Sequence, residues 1–120
     1  MELTRTAAAI LYSKKGAEIA AWDLRGASEV TDFTLVVTGT SAPHLKALAN
    51  EVEAVLKESG ARAYRRSGNP DCGWVVLDFI DLVIHIFLRD QREYYAIEKL
   101  WASAPQVPLP PPPPVPPGLP

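Results

Sequence analysis

The sequence has little cysteine, little excess charge and no long apolar run, and each shortage excludes a class of protein. Its one cysteine, Cys72, excludes an intrachain disulfide and a thiolate zinc site within one chain, which fits a reducing compartment. With 12 basic and 14 acidic residues the net charge is −2, so no strong field attracts nucleic acid or an anionic membrane. No apolar run reaches the ~20 residues that span a bilayer, and the N-terminus lacks the layout of a secretory signal. We expect a soluble cytoplasmic protein with no membrane partner.

Proline is also scarce until the end of the chain, where ten of the twelve prolines lie in residues 105–120. This stretch has no charge and a donor-poor backbone, so it predicts a disordered polyproline II tail that does not pack. The folded domain is then expected to span residues 1–104, which is enough for one modest core. Binding of the tail to a proline-recognising module is the less favoured alternative.

Apolar periodicity predicts alternating helices and strands before the tail. Helices are predicted at residues 3–15, from the N-cap Ser41 to Gly60, and near 91–103; strands are predicted at 17–24, 33–38 and 61–66, with two more in 73–88. Strand 61–66 is weakly patterned and is expected at an edge of the sheet.

The two strands in residues 73–88 form the central feature. If Phe79 and Ile80 make a two-residue turn, Asp78 pairs with Asp81, and Val76–Val83 and Trp74–His85 are further pairs. One face then holds only core residues, namely Val75, Leu77, Leu82, Ile84 and Ile86. The other face is mixed and holds Trp74, Val76, Asp78, Asp81, Val83, His85 and Phe87. Like charges opposite each other destabilise paired strands, so fold stability alone does not explain this mixed face. It is predicted to be the working surface.

The last helix is predicted to begin with a capping box of Asp90 and Glu93. Its buried side would comprise Tyr94, Ile97, Leu100, Trp101 and Ala104. Tyr95 falls on the opposite side, where an exposed tyrosine is a favoured anchor for a binding partner.

An enzyme is the main alternative to a binding protein. In a nucleotidyltransferase-like enzyme the junction at residues 38–41 would hold phosphate at a helix N-terminus, and Asp78 with Asp81 would hold magnesium. The spacing argues against this, because a pair that wraps around a turn does not project both carboxylates to one face. His85 could act as a general base only beside a nucleophile, and none is visible in the sequence. We therefore favour a histidine whose hydrogen bonds are made within the sheet over a catalytic one. No metal site is expected.

The arginines on the predicted edge strand allow two interpretations. Arg62, Arg65 and Arg66 would grip RNA phosphates, or they would guard the edge against pairing with another strand. The guard is the favoured interpretation, with an RNA contact as the alternative.

Taken in order, the pieces of this chain resemble the ribosomal silencing factor family, also called Iojap-like proteins. The matching pieces are Asp23-Leu24-Arg25, Thr31-Asp32-Phe33, Thr38-Gly39-Thr40-Ser41, Trp74-Val75-Val76-Leu77-Asp78, residues 81–87 and residues 92–101. The resemblance covers residues 3–102 and leaves out the proline tail. Two positions depart from the family pattern. Ile80 stands where the family usually has glycine, so the turn is either wider than two residues or strained by about 1 kcal/mol at positive φ. Pro43 stands near a position where the family often has arginine.

The resemblance implies an α/β fold, a mixed sheet of about five strands flanked by helices, similar to the nucleotidyltransferase fold without its catalytic residues. It also implies a translational repressor that binds the large ribosomal subunit through large-subunit protein fourteen. The bound factor would block association with the small subunit, mainly when nutrients are short. Such a protein is not an enzyme and needs no cofactor or small-molecule substrate.

On this hypothesis six residues form the partner-binding surface. Trp74, His85 and Tyr95 are predicted to be anchors, and Asp78, Asp81 and Arg92 are predicted to be polar or charged partners. The edge at 61–66 and an apolar sheet face would also permit a homodimer.

Overall fold

The computed structural model describes residues 2–27 and 31–109, in which helices alternate with strands. The helices are α1 (Glu2–Ser13), α2 (Ala42–Glu58) and α3 (Arg89–Tyr95), and the strands are β1 (Ala17–Asp23), β2 (Phe33–Gly39), β3 (Arg65–Asn69), β4 (Trp74–Asp78) and β5 (Leu82–Leu88). Short 3₁₀ turns lie at Pro70–Cys72 and Ile97–Trp101. Among the residues described, no helix has the length and apolar character needed to cross a membrane.

The strands form one mixed sheet in the order β1-β2-β5-β4-β3. β2 and β5 are parallel in the middle of the sheet, with Thr34 opposite Val83, and the other neighbouring pairs are antiparallel. Every residue of β2 is buried, as expected for a central strand that is covered on both faces. The predicted α/β fold, with a mixed sheet of about five strands flanked by helices, is confirmed.

The two faces of the sheet are covered differently. Helices α1 and α2 pack on one face and enclose the main core. The predicted core face is confirmed, since Val75, Leu77, Leu82, Ile84 and Ile86 are each at most 1% exposed. On the other face a second cluster of Trp22, Leu24, Val36 and Phe87 is covered by Ile97, Trp101 and Ala104 from the C-terminal segment.

Helix α2 begins where the sequence predicts. Ser41 Oγ accepts the His44 N–H at 3.2 Å, and Pro43 lies in the first turn, where its missing donor is tolerated. The buried stripe of the helix comprises Leu45, Leu48, Ala49, Val52 and Leu56. Gly60 follows the helix end at φ 95°, a conformation that glycine adopts without strain.

The β4–β5 hairpin forms, but its predicted register is wrong by two residues. The observed pairs include Trp74–Phe87, Val76–His85 and Asp78–Val83. The Phe79 N–H donates to the Leu82 carbonyl at 2.8 Å, so Ile80 and Asp81 form the turn. Phe79 is only 6% exposed in the main core, and its burial moves the turn one residue further along the chain. Asp78 and Asp81 are therefore not opposite each other.

The last helix is shorter than predicted, because the chain breaks after Tyr95. Ala96 adopts the left-handed conformation at φ 47°, and a 3₁₀ turn follows it. The predicted capping box of Asp90 and Glu93 is wrong, since α3 starts two residues earlier, at Arg89, and its N-cap residue Leu88 makes no side-chain cap.

This break changes which side chains the C-terminal segment buries. Tyr94 and Leu100, predicted to lie on a buried stripe, are 79% and 76% exposed. Ile97, Trp101 and Ala104, predicted on the same stripe, do pack on the second cluster, where Trp101 lies 5.5 Å from Trp22 between ring centroids. The tertiary contact with the second cluster thus overrides the helical period.

Residues Pro105–Leu109, which we name the C-terminal strap, pack against β1. The Asp23 N–H donates to the Pro105 carbonyl and the Val107 N–H donates to the Ala21 carbonyl, both at 2.8 Å. Val107 is 5% exposed, and Leu109 also packs against the main core. The expectation that the chain does not pack beyond residue 104 is therefore wrong for these residues. The rest of the predicted tail, residues 110–120, lies outside the described part of the chain.

Strand β3 lies at the predicted edge of the sheet but later in the sequence than residues 61–66. Residue 61 still belongs to the end of α2, because the Ala61 N–H donates to the Leu56 carbonyl. The first hydrogen bond to β4 is made at Tyr64, whose N–H donates to the Asp78 carbonyl. Of the three arginines predicted on this strand, only Arg65 and Arg66 lie on it.

Candidate protein-binding face

The second face of the sheet carries a half-exposed aromatic pair next to β3. The Trp74 ring stacks on Phe87 at 4.9 Å between ring centroids and contacts Tyr95 of α3 at 4.7 Å. Phe87 is fully buried, whereas Trp74 is half-buried and Tyr95 is 49% exposed. The sheet below and the helix beside it therefore hold two large aromatic side chains in place at the surface.

His85 lies beneath this pair rather than on the surface. The Trp74 Nε1–H donates to His85 Nδ1 at 3.2 Å, and the Trp101 ring lies 5.7 Å from the imidazole on another side. Burial lowers the pKa of His85 to about 4, so the ring is neutral at pH 7. Because Nδ1 accepts a hydrogen bond, the proton lies on Nε2. His85, predicted to be a direct anchor, is placed to orient Trp74 instead.

A groove of about 350 Å³ opens beside the aromatic pair. Its lining is mainly apolar and comprises Cys72, Trp74, Val76, Tyr95 and residues 67–69 of β3. A rigid aromatic rim around an apolar groove is the arrangement in which protein interfaces bury their anchor residues. The mixed hairpin face pointed to Trp74 and Val76, whereas the groove wall from β3 was not predicted because the register of that strand was unknown.

The turn of the β4–β5 hairpin is acidic and strained. Asp78 Oδ1 accepts the Ile80 N–H at 2.8 Å, which gives this carboxylate a structural role in the turn. The sequence left open whether Ile80 widens the turn or is strained at positive φ. Ile80 has φ 74°, so the turn is strained. Asp81 is exposed.

Among residues 2–27 and 31–109 no three His, Cys, Asp or Glu side chains converge as a metal site.

Comparison with known proteins decides the family. The family model described as "Ribosomal silencing factor during starvation" matches residues 1–117. The chain belongs to the ribosomal silencing factor family. This confirms the resemblance seen in the sequence, and the match extends beyond the expected residues 3–102 into the proline-rich stretch.

Individual members of the ribosomal silencing factor family agree with this assignment. The ribosomal silencing factor of Halalkalibacterium halodurans is 37% identical over 108 residues, which cover 90% of this chain and 92% of the relative. A crystal structure of a Chromobacterium violaceum protein superposes with a TM-score of 0.80 at 36% identity, covering 83% of each chain. A mouse protein named "Mitochondrial assembly of ribosomal large subunit protein 1" is 34% identical over 59% of this chain and 32% of its own length.

Arg92 was predicted to face a partner, but its side chain bonds within the chain. Its Nε contacts Glu98, and its Nη1 donates to the Glu18 carbonyl at 2.7 Å and to Thr38 Oγ1 at 2.8 Å. Its side chain is only 12% exposed. Arg92 therefore fastens the C-terminal segment to β1 and β2, away from the aromatic pair.

The strand-to-helix junction at residues 38–41, considered as a phosphate site, is occupied by a side chain from the chain's own helix α2. The Thr40 N–H donates to His44 Nδ1 at 2.9 Å, and His44 Nε2 lies 2.8 Å from the Lys14 carbonyl. Since Nδ1 accepts, Nε2 carries the proton and donates to Lys14. His44 thus joins the start of α2 to the end of α1.

The structure brings three of the six predicted site residues together and separates the others. Trp74 contacts both His85 and Tyr95, with ring centroids 6.0 and 4.7 Å away. The site residues Asp78 and Asp81 lie at the hairpin turn and Arg92 lies in the C-terminal network. The exposed side chains of Tyr94 and Leu100 were not predicted, and no local signal marks the break at Ala96 that exposes them.

Proposed function

We propose that this chain is a translational repressor that acts in the cytoplasm. It binds the large ribosomal subunit through large-subunit protein fourteen and blocks association with the small subunit, mainly under nutrient limitation. The family assignment supports a silencing role, and the name of the mouse relative supports a link to the large subunit. The proposal assigns binding to the second face of the sheet.

The observation that carries this proposal is the aromatic pair at the groove. Trp74 and Tyr95 present large ring surfaces that are already held by neighbours, so little side-chain entropy is lost when a partner covers them. Val76 extends the apolar surface along β4 and is half-buried before any partner binds. A protein interface of standard size removes about 800 Å² from each partner and depends on a few such anchors.

The exposed sheet edge is not needed for this mode of binding. β3 is short, and Gly68 within it has φ 82°, a kink that interrupts a regular edge. A Cβ at Gly68 would lie 2.2 Å from the Trp74 carbonyl oxygen, so this glycine allows β3 to pack closely on β4. The partner is therefore expected on the face of the sheet rather than as an added strand.

The inhibition follows from exclusion. A domain that covers part of the docking surface prevents the small subunit from reaching it, and no chemical step is required. Occupancy follows mass action, so subunit joining falls as the free factor rises above its dissociation constant.

The test is sedimentation of the purified protein with separated ribosomal subunits and with assembled ribosomes. The wild type is expected to pellet with large subunits, and not with small subunits or assembled ribosomes. The single variants Trp74→Ala and Tyr95→Ala are each expected to weaken binding at least tenfold, as is typical of buried anchors. Binding of wild-type strength by both variants would place the interface elsewhere.

Leu100→Ala is the matched control for these variants. Leu100 is 76% exposed and belongs neither to the groove lining nor to the second cluster, so its truncation should leave folding and binding unchanged. Circular dichroism of each variant separates a lost contact from a lost fold.

We also propose a minor ribosomal RNA contact at the free edge next to the groove. Tyr64 is 67% exposed, and the Arg65 guanidinium lies 5.9 Å from its ring centroid. Arg62 is exposed nearby in the sequence, while Arg66 is held by Glu53 of α2. A stacked aromatic and arginine can receive an unpaired base and a phosphate. Arg62→Ser with Arg65→Ser should then weaken binding to subunits more than binding to the isolated large-subunit protein.

A further inference from the structure

The C-terminal strap carries the chain towards the end of the sheet at which the groove lies. Gln106 lies opposite Trp22 in an antiparallel bridge, so the strap runs towards the beginning of β1. From there a row of paired residues crosses the sheet to the groove, through Ala17, Thr38, Phe87 and Trp74. The chain therefore leaves the strap at Leu109 near the end of the sheet that carries Trp74.

Eleven residues follow Leu109, and together they are long enough to reach the groove. From the strap to β4 the sheet has four strand spacings, across β1, β2 and β5, which amount to about 19 Å. A polyproline II segment rises about 3.1 Å per residue, so residues 110–115 cover about this distance. Residues 116–120 then remain to enter the groove.

The composition of residues 110–120 suits an aromatic groove. Eight of these eleven residues are proline and none is charged. Proline-rich segments dock into grooves that are lined by aromatic rings. They already favour the polyproline II conformation, so they lose little conformational entropy when they bind. An uncharged segment of this kind requires an uncharged, aromatic surface.

The groove beside the aromatic pair has these properties. The rings of Trp74 and Tyr95 lie 4.7 Å apart, and the exposed Tyr94 packs edge-on against Tyr95 at 5.0 Å between ring centroids. None of the residues that line the groove is charged. Ser67 and Asn69 belong to the lining and supply hydrogen-bond donors. Proline carbonyls are the natural acceptors for them, since proline has no N–H.

We propose that residues 116–120 dock into this groove within their own chain. The docked segment covers the surface that a protein partner would use, so it acts as an internal competitor. The competition rests on the proposed function, whereas the docking itself does not. A partner binds only the fraction of molecules in which the groove is open, and its apparent dissociation constant rises by the reciprocal of that fraction.

The single cysteine of the chain provides the test, because Cys72 lines the groove and is exposed in the described structure. Iodoacetamide should reach the thiol only while the groove is open, so the alkylation rate is proportional to the open fraction. In the full chain, Pro116→Ser with Pro117→Ser should raise this rate by about fivefold or more. The substitutions add no charge, so the electrostatic surroundings of the thiol do not change. Equal rates for this variant and the wild type would overturn the docking.

Pro110→Ser with Pro111→Ser is the matched control, because it makes the same change in the part of the tail that only spans the distance. Its alkylation rate should stay within about twofold of wild type, since linker flexibility alters the effective concentration only weakly. Acceleration of the same size by both pairs would overturn the assignment of residues 116–120. The wild-type rate should not depend on protein concentration. A rate that falls as the protein is concentrated would mean docking onto another molecule, and would overturn docking within the chain.

Sedimentation with large ribosomal subunits tests the competition separately. Pro116→Ser with Pro117→Ser should tighten binding by the same factor by which it accelerates alkylation, because both quantities depend on the open fraction. Faster alkylation with unchanged binding would overturn the internal competitor. If neither the wild type nor the variant pelleted with large subunits, the proposed function would be contradicted, and the alkylation rates would still decide the docking.

Discussion

The indole of Trp74 and the imidazole of His85 are joined by a 3.2 Å hydrogen bond from Nε1–H to Nδ1. The bond holds the half-exposed Trp74 side chain in place through the buried, neutral imidazole of His85. It requires His85 to keep Nδ1 free of a proton, so the orientation of the candidate binding residue is coupled to the protonation of a group beneath it. The first prediction follows from this coupling.

His85 should make the stability of the protein depend on pH. Its folded pKa of about 4 lies below the ordinary histidine pKa of 6.5, so the unfolded chain binds more protons between these values. The contribution is complete above pH 6.5 and is lost as the pH falls towards 4, by up to about 3 kcal/mol in the free energy of unfolding. His85→Asn keeps an acceptor for Trp74 but does not titrate. Urea unfolding from pH 7 to 4.5 should show a steeper decline for the wild type, and parallel curves would contradict the burial of a neutral imidazole.

Ile80→Gly should stabilise the protein relative to Ile80→Ala. Both variants remove the same largely exposed side chain, but only glycine adopts φ 74° without the clash that costs about 1 kcal/mol. For a domain of this size that difference raises the melting temperature by about 4–8 °C. Calorimetry of the two variants measures it. Equal melting temperatures would mean that the turn relaxes when the isoleucine is removed.

Arg92→Gln should destabilise the fold by about 1–3 kcal/mol. The substitution removes the charged donor from the Thr38 hydroxyl and from the Glu98 carboxylate. Arg89→Gln is the matched control. Its ion pair with Glu18 joins side chains that are 58% and 48% exposed, so its loss should change stability by less than about 0.5 kcal/mol. Urea unfolding compares the two, and equal effects would show that Arg92 does not fasten the C-terminal segment.

Asp81→Asn should reduce the salt dependence of the proposed binding to the large subunit. Asp81 is exposed in the hairpin turn, where its charge would guide the encounter with a basic ribosomal protein. The association rate at low salt should fall by several fold, with a smaller change in dissociation. Asp71→Asn, another exposed acid, serves as the control. Identical salt slopes for Asp81→Asn and wild type would remove the hairpin turn from the interface.

Period-two patterning was enough to predict the sheet and its core face. Val75, Leu77 and Ile84 alternate with less buried neighbours, and this alternation is a local property that survives in the fold. The hairpin register could not be predicted in the same way. It depends on Phe79 entering the core between the sheet and the helices, which is a contact between distant parts of the chain.

The C-terminal segment was the least predictable part, for two physical reasons. The helical period favoured one continuous helix, but the chain breaks at Ala96 in the left-handed conformation and Trp101 packs on Trp22. The strap was hidden by its proline content, which is typical of an unpacked tail. Val107 and Leu109, two apolar residues spaced two apart, were the signal for an edge strand.

The site residues show the same division. Trp74 was predicted from the mixed face of the hairpin and Tyr95 from the side of the last helix opposite its apolar residues, and both are partly exposed. His85 and Arg92 were placed at the surface because the sequence does not show what covers them. Their true neighbours, Trp101 and Glu98, come from the segment whose path was mispredicted.

The parallel pairing of β2 with β5 has a consequence for how the protein folds. Thr34 and Val83 are 49 residues apart, so the middle of the sheet joins the first half of the chain to the second. Closing so large a loop costs chain entropy before the strand contacts form. We expect this step to set the folding rate. Until the loop closes, β2, whose side chains are all buried in the native state, has β1 on one side but lacks its neighbour on the other. A newly made chain is thus most open to aggregation before β5 reaches β2, and chaperone binding at residues 33–39 would be most useful in that interval.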